Sequence, residues 1–390
     1  MSSTRTAKPG APLRQERFAS AYASGLLANL VAKRCAQIED AGTRATIWFL
    51  QWLSWQPGGL CAHFGAAREK TLFELCLNPK FDSPKLLRTV ADYRAQWIQN
   101  LPSVAQTTVG RRIADALNFT RQAHCLTLID GPARIGKSFS AEDYCQRSAG
   151  LIRFIAVPCS SDDISFFRAI AKALGVSSSL KLKSAELRLR IEETLANGDL
   201  ALIFDEGHYC FPQNWQRYAM PSRVNWIMTA LANSKIAAAI ITTPQFFTAQ
   251  KKTEELTGWN GSQFDGRIAH IERLPEVLPI QDLLAVARSI FPEGDSHAWQ
   301  QLAGYADLNA QTKLAGMRAL AQRARWLAGQ QGRAEATPAD LRSALREGFA
   351  GAAVYVPRPD RQAPAKASRS AGTHRFFTRP QATAAELVSQ

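Results

Sequence analysis

Gly131-Pro132-Ala133-Arg134-Ile135-Gly136-Lys137-Ser138 is the stretch on which the reading of this chain turns. Two glycines five positions apart, followed at once by a lysine and a hydroxyl residue, match the phosphate-loop pattern G-x-x-x-x-G-K-[ST] without a mismatch. Glycine lets the backbone fold tightly enough for successive N–H groups to point at phosphate oxygens, and the helix that follows adds a favourable dipole. Lys137 is placed to reach the β- and γ-phosphates of ATP, the Ser138 hydroxyl to ligate Mg²⁺, and the loop through Phe139 to surround the phosphates. The surroundings agree, since the apolar run Cys125–Ile129 reads as a buried strand and a helical pattern opens near Lys137.

Further apolar runs follow at 151–157, 200–204 and 236–241, with amphipathic helical stretches at 164–174 and 185–195 between them. Strand and helix in alternation predict a parallel sheet covered by helices on both faces. Ligands of such sheets bind at the carboxyl ends of the strands, where Leu202-Ile203-Phe204 runs into Asp205 and Glu206. Asp205 is expected to hold Mg²⁺ through water, and Glu206 to orient and deprotonate the attacking water. Asp205-Glu206-Gly207-His208 resembles a helicase box, but the helical stretch after Val277 is too short to supply a second helicase domain. His208 is therefore read as a packed histidine. Thr243, ending the next strand, can touch both γ-phosphate and water, and Arg267 precedes the last strand, where it can serve a neighbouring subunit's nucleotide.

Around this core the chain divides into a flexible arm (1–20), a helical region (21–100), the ATPase core (101–276), a helical lid (277–350) and a flexible basic tail (351–390). The 390 residues carry 47 Lys+Arg against 33 Asp+Glu, a net charge of +14, which favours a polyanionic partner. Candidate phosphate contacts are Lys181, Lys183 and the tail residues Arg358, Arg361, Lys366, Arg369, Arg375 and Arg379. Leu60 to Leu72, with Gly65 at a turn and Arg68, Lys70 and Thr71 after it, has the form of a helix-turn-helix. Seven scattered cysteines without a C-x-x-C pair signal neither disulfides nor zinc. No apolar run is long enough to cross a bilayer, and the polar start Met1–Ala11 has no leader-like stretch, so a cytoplasmic protein is expected.

Taken together, the loop, the acids Asp205-Glu206, the strand end Ile240-Ile241-Thr242-Thr243-Pro244-Gln245-Phe246, the segment Gly266-Arg267 before Leu274-Pro275 and the helical C-terminal lid resemble an AAA+ ATPase. The similarity is to the phage Mu B-like and transposon target-selection regulators, and covers roughly Pro102 to Gly348. It implies a sheet ordered 5-1-4-3-2 with a helical lid over ATP and Mg²⁺. It also implies Thr243 as the sensor-one residue, Arg267 as a candidate finger, and Lys313 (or, as second choice, Arg318) as the basic lid residue of sensor two, although the usual Gly-x-x-Arg form of that element is absent. Family members assemble on duplex DNA as ATP-dependent rings or filaments and recruit a transposase. The alternative is a loader or remodeller of a replication protein such as a helicase. A small-molecule kinase is disfavoured by the lid and by Arg267.

Overall fold

The computed structural model describes residues 25–160, 162–176, 183–212, 219–309 and 313–347. The predicted arm, the basic tail and Lys181 lie outside them. Five parallel strands form the centre: β1 (Leu126–Asp130), β2 (Ile152–Ala156), β3 (Ala201–Asp205), β4 (Ala238–Thr242) and β5 (Ile268–Arg273). Their order is β2-β3-β4-β1-β5, the expected 5-1-4-3-2 read from the other edge. In β1 and β4 the register runs from Leu126 opposite Ala238 to Asp130 opposite Thr242, so the carboxyl ends of these strands stand level.

Side chains alternate across a strand with a period of two, and the two faces found separate cores. Leu128, Leu202, Phe204 and Ile240 join one cluster, while Ile129, Ile203, Ala239 and Ile241 join the other. The first cluster takes in the helices that precede the sheet: α1 (Ala28–Cys35), α2 (Ala41–Ser54), α3 (Gly59–Phe64), α4 (Ala66–Leu77) and α5 (Pro84–Gln99). Helix α2 is apolar nearly all round, as a helix buried on most sides must be. Its fully buried Trp48 donates to the carbonyl of Gly198 at 2.8 Å, and Gln51 donates to those of Leu26 and Leu174. The Gln51 amide oxygen accepts from buried Arg153 of β2 at 2.6 Å. These N-terminal helices share their core with α8 (Asp163–Leu174) and α9 (Ser184–Gly198), which cover the same face.

The opposite face is covered by α6 (Thr108–Ala123), α7 (Lys137–Arg147) and the apolar sides of the C-terminal helices. These are α13 (Ile280–Ile290), α14 (Ser296–Leu308), α15 (Lys313–Gln330) and α16 (Pro338–Arg346). The short connections before β4 and β5 are α10 (Ser222–Trp226), a π-helix over Ile227–Ala232, α11 (Gln245–Thr257) and α12 (Ser262–Asp265). Buried Asp282, in the first turn of α13, accepts from the Thr108 N–H at 2.7 Å and so fastens the lid to the start of α6. A capping box between Thr337 and Asp340 starts α16, and Arg333 holds Asp340 with two further hydrogen bonds. No helix among the described residues is long and apolar enough to cross a membrane.

Candidate active site

The loop Gly131–Gly136 joins the carboxyl end of β1 to the amino end of α7. Gly136 has φ +93°, a backbone region that costs glycine little and other residues more. A Cβ at Gly131 would stand 2.8 Å from that of Leu274, so glycine is also required there by the close approach of the chain leaving β5. Lys137 is buried, and its Nζ donates to the carbonyl oxygens of Gly131 at 2.7 Å and Pro132 at 2.6 Å. Burial pushes the lysine pKa down; Asp205, Glu206 and Asp130 oppose that shift, and the charge of Lys313 adds to it.

Asp205 ends β3, buried, and Glu206 follows with φ +56°. That left-handed step turns the chain into a 3₁₀ turn, Gly207–Cys210, whose glycine lies against Ile240: a Cβ there would come within 2.3 Å of the isoleucine. His208 lies in this turn with Nδ1 3.5 Å from Glu206 Oε2. Its pKa is lowered by burial, with Glu206 and Asp205 pulling the other way. Thr243 follows β4, and its Oγ1 is buried without a hydrogen-bond partner among the described residues. A buried hydroxyl in that condition is uncommon and points to a ligand as its partner.

These groups open onto one cavity of about 1170 Å³, which includes the loop from Ala133 to Ser140, Asp205, Glu206, His208 and Thr243 in its wall. The loop and the acids give it ionic groups, and Val104 and Ala105 before α6 with Val286, Ile290 and Pro292 at the end of α13 give it apolar ones, beside Arg318 and Arg325 of α15. A nucleotide has the same two-part character, a polyanion joined to a flat base.

The lid closes the cavity through α15. Leu314 donates its N–H to the Arg134 carbonyl at 3.3 Å, and its side chain would meet a Cβ at Gly136 at 3.4 Å. Lys313, expected to face the nucleotide, instead turns its Nζ to the Glu276 carbonyl at 2.6 Å and is not in the cavity wall. Its backbone at the start of α15 has φ +39°. Arg318, further along α15, does line the cavity and makes no hydrogen bond or ion pair among the described residues. Arg325, also in the wall, is held by Glu293 and the Ile290 carbonyl. Arg267 stands apart from the cavity, donating to Asn233 Oδ1 at 2.6 Å and to the Gln263 carbonyl.

Sequence reasoning missed the segment 104–107, the end of α13, and Glu142. Burial raises the Glu142 pKa, and Asp205 raises it further, so this acid of α7 belongs to the electrostatic surroundings of the site. Val104 and Ala105 carry no motif, and only the folded chain brings them to the loop.

Residues 120–248 match the family model described as an AAA domain, a span that includes both the loop and the acids of β3. The site is that of an ATPase. With the strand order and the lid, the fold is the AAA+ phosphate-loop fold. No curated protein matches the sequence. Among solved structures, the ORC2 protein of Aeropyrum pernix in ADPNP–ADP complexes is similar at 13% identity, with 65% of this chain and 71% of that chain covered and a TM-score of 0.47. Its ADP form gives 13%, 65%, 72% and 0.48, and CDC6P from Pyrobaculum aerophilum gives 15%, 63%, 69% and 0.43 in the same order.

Proposed function

We propose that this ATPase is a DNA-bound switch, one that assembles on duplex DNA with ATP and acts there on another protein. The observation that carries this reading is the position of Arg267. It precedes β5, whose far end, Arg273, is level with Asp130 beside the loop. Six residues at about 3.3 Å each separate it from its own nucleotide edge by roughly 20 Å. A finger so placed can serve only a neighbour's nucleotide, which makes an assembly necessary for full hydrolysis. The +14 charge supports nucleic acid as the surface of assembly.

In the cycle we infer, the loop N–H groups and Lys137 hold the phosphates and Thr243 bonds the γ-phosphate. Glu206 takes a proton from the attacking water. Ser138 and Asp205 suit Mg²⁺, since this ion is commonly held by one or two protein oxygens together with substrate phosphates. Among the described residues no three His, Cys, Asp or Glu side chains form a protein-only metal cage, and such a cage is not required here. When bound, the ion would neutralise charge developing on the phosphates. Arg318 is the lid cation we assign to the nucleotide.

Loading or remodelling of a replication protein is the client activity we place first. Recruitment of a transposase is the other client, and it rests on the sequence resemblance alone. Helices α3 and α4 meet at Gly65 with Arg68, Lys70 and Thr71 exposed, which supports a second DNA contact ahead of the ATPase core. Sedimentation with random duplex DNA tests the reading: large complexes with ATP that dissolve with ADP are expected. A protein that stays monomeric with both ligands would overturn it.

A further inference from the structure

The amino-terminal edge of the sheet, opposite the nucleotide, carries a second basic cleft. Its floor is the chain entering β2, β3 and β4 at Leu151, Leu200 and Ala237, and its volume is about 140 Å³. At about 30 Å³ for each water-sized group, that is room for four or five heavy-atom groups, the size of one phosphate. Arg44 from the first turn of α2, Arg121 from the last turn of α6, and His124 stand around it.

The local backbone is shaped to present these groups. His124 ends α6 with φ +47° and Asp199 ends α9 with φ +51°, so two left-handed helix ends face each other, with Nδ1 3.8 Å from Oδ1. Arg44 Nη1 donates to the carbonyls of Ile38 and Glu39, both at 2.7 Å, which fixes the guanidinium, and the Asp40 carboxylate feels its charge without pairing with it. Arg121 also reaches the Tyr144 hydroxyl. Arg94 of α5 stands near enough to feel Arg121: burial, then the Arg121 charge, lower its pKa, and its Nε is buried without a partner. Among the described residues no carboxylate ion-pairs with Arg44, Arg94 or Arg121, and Asp199 is the one acid in the cleft wall. The two guanidinium groups of the cleft wall, with Arg94 beside Arg121, gather positive charge there that a bound anion would offset.

We propose that this cleft is a second phosphate site, formed by Arg44, Arg121 and His124 and taking either a backbone phosphate of duplex DNA or a free phosphate ester. The DNA source rests on the function proposed above; the site itself does not. With five β1 residues at about 3.3 Å each, it lies roughly 17 Å from the nucleotide loop, so its occupant is not the hydrolysed ATP.

The test uses the full chain saturated with a non-hydrolysable ATP analogue and Mg²⁺, so that added phosphate cannot report on the nucleotide loop. Inorganic phosphate is titrated against the imidazole NMR signals of the six histidines, with that of His124 assigned by His124→Gln. A saturable shift of the His124 signal is expected, and it should vanish in Arg44→Gln/Arg121→Gln. Asp199→Asn, whose amide tolerates the left-handed conformation, should tighten binding roughly fourfold by removing one nearby negative charge. Duplex affinity is then measured against salt. If the backbone is the source, the double variant should flatten the log–log slope by about 0.9 for each phosphate it no longer neutralises. Phosphate binding in a protein that ignores duplex DNA would uphold the site, assign it to a free ester and remove the DNA reading. Duplex binding with an unchanged slope, and no saturable His124 shift, would overturn the site and leave the DNA reading standing.

Discussion

Lys137 Nζ lies 2.7 Å from the Gly131 carbonyl oxygen, folded back across the loop that it closes. In the cycle proposed above, the lysine exchanges the carbonyls of Gly131 and Pro132 for phosphate oxygens when ATP enters. Lys137→Ala should weaken ATP binding by about a hundredfold, the size of one or two charge-assisted hydrogen bonds. The fold should persist. Titration of a fluorescent ATP analogue, with circular dichroism alongside, checks both; unchanged affinity would remove Lys137 from the phosphate site.

Burial lowers the Lys137 pKa, and a bound polyanion should raise it again. The sign follows from linkage. Between the lowered value and the ordinary lysine value the protein without nucleotide carries less than one proton there, so ATP binding takes up the missing fraction. Affinity should therefore fall as pH rises through that window. Calorimetry at a series of pH values up to the ordinary lysine value, in two buffers of different ionisation enthalpy, measures the uptake. Equal heats in both buffers would contradict it.

Glu206→Gln keeps the reach of the side chain and removes the base. Hydrolysis should fall by about 10²–10⁴-fold while ATP affinity changes little. If hydrolysis releases the protein from DNA, the variant should also leave fluorescent duplex more slowly after a competitor is added. Normal release in a variant that no longer hydrolyses ATP would separate turnover from DNA occupancy.

Arg318 and Lys313 make opposite predictions. Arg318→Ala should weaken ATP binding by about 10- to 150-fold, because an arginine facing phosphates contributes about 1.5–3 kcal/mol, whereas Lys313→Ala should change it by less. A larger effect at Lys313 would return the lid role to that residue.

Arg267→Ala should bind ATP normally and hydrolyse it poorly even in complexes on DNA. Mixing it with Lys137→Ala protein should restore activity, since one protein supplies an intact site and the other an intact arginine. Absence of rescue at every mixing ratio would count against shared sites.

The parts of the site legible in the sequence are those set by contiguous residues. The loop carries its glycines and lysine in fixed spacing, and Asp205-Glu206 ends a run apolar enough to be read as a strand. The strand order comes with the family resemblance. Arg318 ranks second in the sequence because nothing in its neighbours tells which face of α15 meets the cavity. Val104 and Ala105 are not legible at all, since their place depends on the bond from Thr108 to Asp282, 174 residues away in sequence. The cleft at His124 and Asp199 is hidden for the same reason. Each residue ends a different helix, and only the parallel sheet brings the two ends together.

Trp48 donates across the protein to the Gly198 carbonyl, at the foot of β3. Its consequence concerns where the chain can be cut. A shortened protein starting at about Pro102 would retain every residue assigned to ATP, Val104 and Ala105 included, yet α8 and α9 would be stripped of the cover of α1 and α2. Apolar side chains such as Leu174, Ile191 and Leu195 would then meet water, and an exposed surface of that kind drives aggregation. Minimal fragments of this protein should thus be insoluble before they are inactive, and an N-terminal deletion that abolishes function would say nothing about DNA contacts made by the deleted helices.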